Sequence, residues 1–180
     1  MKSITFFLII ISTQIFQSSG FKDDQLRYSR VRNAYKQKGT LVDNLLKDKS
    51  ITTPYIFLRI FKQEEVIEVW TREKSKEKYS LLKKYDFCST SGELGPKRQS
   101  GDYQIPEGFY YIDRFNPSSN FYLSLGVNYP NASDRILGVK GSLGGDIFIH
   151  GDCVTIGCMP ITDDKIMELY ILAVEAKNNG

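Results

Sequence analysis

The sequence predicts a mainly β, α+β domain with a helical arm before it and a single helix after it. Three observations carry this reading. Residues 22–48 set apolar side chains at roughly helical spacing. Residues from Pro54 onward are rich in β-branched and aromatic residues, with polar reversals between runs. Residues 163–177 return to a helical period behind Thr162-Asp163-Asp164, an N-cap followed by two first-turn acids. Strands followed by flanking helices give an α+β arrangement.

Taken in order, residues 1–20 show a lysine, the apolar run Ile4–Ile11 and then small polar residues. That is the plan of a secretory signal peptide, with cleavage expected after Gly20. The run is shorter than the ~20 residues a membrane span needs. No cysteine lies at the junction, so no lipid anchor is suggested. The chain carries a formal +3, and loss of Lys2 with the leader reduces this by one. So small an imbalance implies neither nucleic acid nor anionic lipid as a partner. The remaining 160 or so residues suffice for one ordinary domain with a sizeable core.

The arm, residues 21–53, is expected to form two short helices separated at Gly39 and packed on the surface of the main body. Three strands follow at 55–62, 65–72 and 78–88, with the mixed-sign "REKSKEK" as a solvated hairpin tip. Gly92, Gly95, Pro96, Gly101, Pro106 and Gly108 then fall within seventeen residues. Such a long punctuated loop is usually functional in a compact domain. "GFYYIDRF" reads as a strand, "NFYLSLGVNYP" as a short strand ending in a turn, and "DIFIH" as a short apolar strand. "CVTIGC" is read as a further extended piece. Eleven Tyr and eleven Phe are explained mostly by sheet packing.

The chemistry is concentrated in "GDIFIHGDCVTIGC", residues 145–158, which holds the only histidine and two of the three cysteines. Acyl transfer needs a thiol nucleophile, a base for its proton and backbone N–H groups aimed at the developing oxyanion. Cys158 suits the first role, since Gly157 before it frees the approach. The helix beginning shortly after is expected to lower the thiol's pKa. His150, at a strand end eight residues upstream, suits the second, with a backbone carbonyl at Gly151 fixing its tautomer. Cys153 is read as structural, either bridged to Cys88 or buried as a thiol. Two rivals stand beside this reading. H-x2-C-x4-C could supply three ligands to a catalytic zinc, although the expectation is a site without metal or other cofactor. Alternatively, His150 is a hydrogen-bonded core residue and the thiols are inert.

"IHGDCVTIGC" together with "SGELGPKRQSGDYQIPEGFY" resembles the L,D-transpeptidase catalytic domain of the YkuD type, and most closely its YafK-like murein subgroup. The likeness covers residues 54–177. Pro106, Gly108 and Tyr110 match the family's P-x-G-x-F/Y strand entry. Ser91, Gly92, Leu94, Gly95, Pro96 and Lys97 match the subgroup's S-G-x-L-G-P-K. The resemblance implies a YkuD-like β-sandwich or barrel. It also implies a cysteine that attacks the L,D-amide of a peptidoglycan stem tetrapeptide and a thioester intermediate. A second stem peptide, a lipoprotein lysine or water would serve as acceptor. By position, Cys158 is the nucleophile, His150 the general base and acid, Gly151 its backbone orienter, and Gly157 with Cys158 the oxyanion donors.

The departures matter too. The arginine that follows the cysteine in many members is replaced by Met159-Pro160, so carboxylate contacts must come from elsewhere, with Lys97 and Arg98 as candidates. Transpeptidation is the leading expectation, with secretion to the cell envelope and a periplasmic location. Amidase or L,D-carboxypeptidase activity with the same residues, including release of wall-attached protein, is the alternative. A non-catalytic wall-binding module using the aromatic β face is a third reading.

Overall fold

A computed structural model describes residues 20–179. The leader expected over residues 1–20 lies, Gly20 apart, outside the described residues.

The helical arm departs from expectation in one respect. A short α1 (Phe21–Gln25) is followed by α2 (Ser29–Asp48), which runs unbroken through Gly39. Val31, Ala34, Gly39, Val42 and Leu46 form one buried stripe along α2. A glycine inside a helix costs about 1 kcal/mol, less than this stripe gains from burial. The arm also shares the core of the whole domain: Val31, Ala34 and Val42 are fully buried. Polar ties reinforce the contact. Tyr35 donates to Glu175 at 2.8 Å, Tyr170 donates to Gln25 at 2.6 Å, and Lys38 pairs with Asp164 at 2.5 Å.

The first sheet is antiparallel in the order β1 (Pro54–Phe61), β2 (Val66–Glu73), β3 (Ser80–Asp86). These are the three expected strands, shifted by one or two residues at their ends. The β1 entry is held by Glu73, whose carboxylate accepts from the Thr52 and Thr53 N–H groups at 2.6 and 3.1 Å. Those bonds, Thr52 first, hold its pKa at about 2.

The second sheet has the order β4 (Ile112–Asn116), β5 (Ser124–Val127), β6 (Phe148–His150), β7 (Met159–Pro160). Its pairs are antiparallel except β6–β7, which is parallel. The two sheets remain separate and close no barrel, so the sandwich-or-barrel expectation narrows to two open sheets. The strand expected over 108–115 begins only at Ile112, and residues 153–158 form a loop rather than an extended piece. A helix that the sequence did not suggest, α3 (Ala132–Leu137), is capped by Asn131, whose side chain accepts from the Asp134 N–H.

Helix α4 (Asp163–Asn178) starts as expected, with the Thr162 hydroxyl accepting from Lys165 N–H. It is buried at every position from Ile166 to Val174 and touches α1, α2, β1, β5 and β6. It is therefore the central helix of the domain rather than a flank. Glu168, buried on α4, joins three elements by accepting from Lys83 and from Tyr85 at 3.1 Å and pairing with Lys38 at 3.7 Å.

Strand alternation gives the second sheet two different faces. The row Phe115, Leu125, Ile149, Met159 points inward. Phe115, Ile149 and Met159 line a largely apolar cavity of about 650 Å³, walled on other sides by β1 and by Ala173 of α4. The rows on either side of it in register, Arg114–Gly126–Phe148 and Asn116–Ser124–His150–Pro160, point outward.

Candidate functional site

The outward face brings His150 and Cys158 onto neighbouring strands. Parallel pairing sets Ile149 beside Met159 and His150 beside Pro160, so Cys158, one residue before Met159, falls level with Phe148. Residues two apart on a strand share a face. By that register His150, at the end of β6, and Cys158, immediately before β7, fall on one side of the sheet. The loop that separates them in sequence is stapled by a disulfide between Cys88 and Cys153, with Cα atoms 5.3 Å apart. Cys158 remains the free thiol. Because Cys153 is consumed in this bond, the H-x2-C-x4-C set loses its middle ligand. Among the described residues, no three His, Cys, Asp or Glu side chains form a group able to hold a metal.

His150 is buried and its ring lies against Phe121, with centroids 4.6 Å apart. Its Nδ1 sits 2.5 Å from the Gly151 carbonyl. A carbonyl only accepts, so Nδ1 carries the proton and Nε2 is left as the basic nitrogen. Gly151 has no room for a side chain, since a Cβ there would come 2.4 Å from Asp163 Oδ1. Burial pushes the His150 pKa below its ordinary 6.5, against smaller opposing effects of the Gly151 carbonyl and Asp152. The ring is therefore neutral at neutral pH. Opposite His150 on β5, Ser124 is buried, and its hydroxyl has no hydrogen-bond partner among the described residues.

Cys158 donates its thiol proton toward the Asp146 carbonyl at 3.6 Å. Burial raises its pKa, and Asp146 adds to the effect. The Phe148 N–H and the more distant Lys97 charge work in the opposite direction without overcoming it. The expectation that the α4 N-terminus lowers this pKa is thus corrected. Desolvation is the largest cause, and the first turn of α4 carries Asp163 and Asp164 beside its N–H groups. The resting pair is a neutral thiol and a neutral imidazole.

The backbone N–H groups of Gly157 and Cys158 converge on one atom, Thr155 Oγ1, at 3.2 and 2.8 Å, and that hydroxyl donates to the Cys158 carbonyl at 2.8 Å. The convergence needs Gly157 at φ +132°, a backbone conformation costly for a residue with a Cβ. The point where an oxyanion would sit is thus marked by a side-chain oxygen. Thr155 carries no weight in the sequence reading; its signal is its place three residues before the cysteine.

Lys97 and Arg98 belong to the glycine-rich loop. The Lys97 ammonium is buried, 2.5 Å from Asp102 Oδ1 and 2.9 Å from the Gln99 carbonyl. Burial alone would raise Asp102, but Lys97 and the N–H groups of Gln99, Arg98 and Gln104 outweigh it and hold its pKa at about 2. Arg98 is half-buried, and its charge is felt by Tyr110 and Tyr129.

Comparison with known proteins agrees with this architecture. The chain is 38% identical over 133 residues to "Putative L,D-transpeptidase YafK" of Escherichia coli K12, and equally to its O157:H7 counterpart. The match takes in 73% of this chain and 52% of the relative, so the chain spans about half the length of the curated relatives it matches. Among solved structures it is similar to the helical cell shape determining protein Pgp2 of Campylobacter jejuni. That match has a TM-score of 0.53 and 22% identity, over 76% of this chain and 52% of that one. A K307A variant of Pgp2 gives the same TM-score at 25% identity, over 81% and 53%. No protein-family model matches the sequence. In sequence the chain is thus similar to a putative L,D-transpeptidase, and in fold it is similar to Pgp2.

Proposed function

We propose that the domain is a cysteine-dependent L,D-transpeptidase acting on peptidoglycan stem peptides. The observation that carries this reading is the pairing of one free thiol with one tautomerically fixed imidazole on the same face of β6 and β7. As the Cys158 sulfur attacks the carbonyl carbon of the donor amide, His150 Nε2 takes the thiol proton. A neutral base is the form that can do so. The C–N bond then breaks, and the imidazolium returns the proton to the departing amine, leaving a thioester. An incoming amine attacks the thioester, gives its proton to His150 and restores the thiol. The Gly157 and Cys158 N–H groups stabilise the tetrahedral oxyanion by exchanging Thr155 Oγ1 for it.

The likeness to the putative L,D-transpeptidase YafK supports the choice of reaction, and the likeness to a cell shape determining protein supports cell-wall remodelling as the setting. Among the described residues no helix is long and apolar enough to cross a membrane. Export to the periplasm behind a cleaved leader is part of the proposal. Water in place of the amine would turn the same intermediate to hydrolysis.

Mass analysis of muropeptides incubated with the protein tests the reading. Cross-linked products, absent with Cys158→Ala, are the expected result; trimmed tetrapeptides or released protein alone would reassign the domain as a hydrolase. Binding without any Cys158-dependent product would leave a wall-binding module.

A further inference from the structure

Arg114 reaches the neighbourhood of Cys158 from the far side of the sheet. It stands in register with Gly126 on β5, which stands in register with Phe148 on β6. Gly126 is what allows the crossing: a Cβ there would lie 2.9 Å from Arg114 Nε and 2.8 Å from Asp113 Oδ1. Passing over this gap, the guanidinium lies 4.8 Å above the Phe148 ring. Its Nε donates to Asp113 Oδ1 at 3.1 Å and its Nη1 to Asp146 Oδ1 at 2.8 Å. Nη2 makes no hydrogen bond among the described residues, and the side chain is 45% exposed.

Asp146 ties this cation to the nucleophile, because its carboxylate holds Arg114 while its carbonyl accepts from the Cys158 thiol. Guanidinium and sulfur are thus joined through that single residue, by contacts of 2.8 Å to its carboxylate and 3.6 Å to its carbonyl. Lys97 offers a contrast: its ammonium is buried against Asp102 and the Gln99 carbonyl.

We propose that Arg114 is a specificity-determining residue that binds a carboxylate of the donor peptide through its unoccupied Nη2 edge while the scissile carbonyl lies at Cys158. Asp113, Asp146 and the Phe148 ring fix the plane of the guanidinium without covering that edge. A planar guanidinium presents parallel donors that match a carboxylate. The two flanking acids cancel most of the long-range field, so recognition comes from geometry at contact. This inference rests on the proposed donor being a peptide with free carboxylates.

The test uses the Cys158→Ala protein, which can bind the stem tetrapeptide without consuming it. Calorimetry compares the free-acid peptide with its carboxamide form. Amidation is expected to weaken binding by about tenfold or more, the usual worth of a charged hydrogen bond. Adding Arg114→Met should remove that preference. So should Gly126→Ala, which keeps the charge but pushes the guanidinium aside. Equal melting temperatures establish that the variants are folded. The proposal is overturned if Arg114→Met leaves the preference intact, or if neither peptide form is distinguished at the start. Whether protein with Cys158 forms a thioester is scored separately, so failure of the donor reaction and failure of carboxylate recognition give different results.

Discussion

The two faces of the second sheet differ in what the same four short strands are asked to do. Inward, Leu125, Ile149 and Met159 are buried apolar side chains, the last two lining the apolar cavity of about 650 Å³. On the opposite face, His150 and Cys158 carry the two side chains that exchange the proton in the proposed reaction, and Arg114 and Phe148 share that face. A one-residue step along β6, from Ile149 to His150, moves from packing to chemistry. The cavity thus lies on the apolar face, and the row that carries His150 lies on the other.

This division makes predictions of graded size. The largest concerns the outward face. Cys158→Ala should abolish covalent capture of donor peptide and leave the melting temperature nearly unchanged, because the thiol's hydrogen bond to the Asp146 carbonyl is long, at 3.6 Å. On the inward face the reverse is expected. Leu125→Ala, at a fully buried position, should cost about 2–5 kcal/mol of stability in denaturant titration. Its thiol should alkylate at the parental rate in the folded fraction.

The disulfide belongs to neither face and should separate the two kinds of effect. Cys153→Ala opens a closure spanning 65 residues, and a loss of about 2–5 kcal/mol is expected, read as a lower melting temperature. Thioester formation at Cys158 should persist at temperatures where the variant is folded. Loss of capture in well-folded Cys153→Ala would mean that the staple does more than hold the loop.

The smallest effect is a pH dependence. Since His150 has a folded pKa below 6.5, the unfolded chain takes up its proton first as pH falls. Stability should be complete above about pH 6.5 and decline below it, and His150→Gln should flatten that slope, this being the only histidine. Glu73 and Asp102, both held at about 2, add a separate loss as pH falls from their ordinary values toward 2. The acid limb of activity should likewise fall below pH 6.5.

Much of this was legible in the sequence because it is local. Strand runs between polar reversals, the Thr162 cap and the His150–Cys158 cluster are all written within a few residues. Gly39 misled because a helix-breaking propensity of about 1 kcal/mol yields to a continuous buried stripe. Helix α3 was missed because Asn131 and Asp134 cap each other in a stretch too short to show a period. The expected drop in thiol pKa failed because burial is a tertiary property. Arg114 was invisible as a site residue for a related reason. Its place near Cys158 depends on the register of four strands and on an absent side chain at Gly126, neither of which has a sequence signature.

In the proposed reaction the proton of Cys158 passes to His150 as the sulfur captures a carbonyl carbon. Intact-protein mass spectrometry after brief exposure to a stem tetrapeptide measures this directly. The native protein should gain the mass of the donor less its departing residue. His150→Ala should gain it at least about a hundredfold more slowly, and Cys158→Ala should gain nothing. An adduct that forms equally fast without the imidazole, or that persists in Cys158→Ala, would contradict the claim.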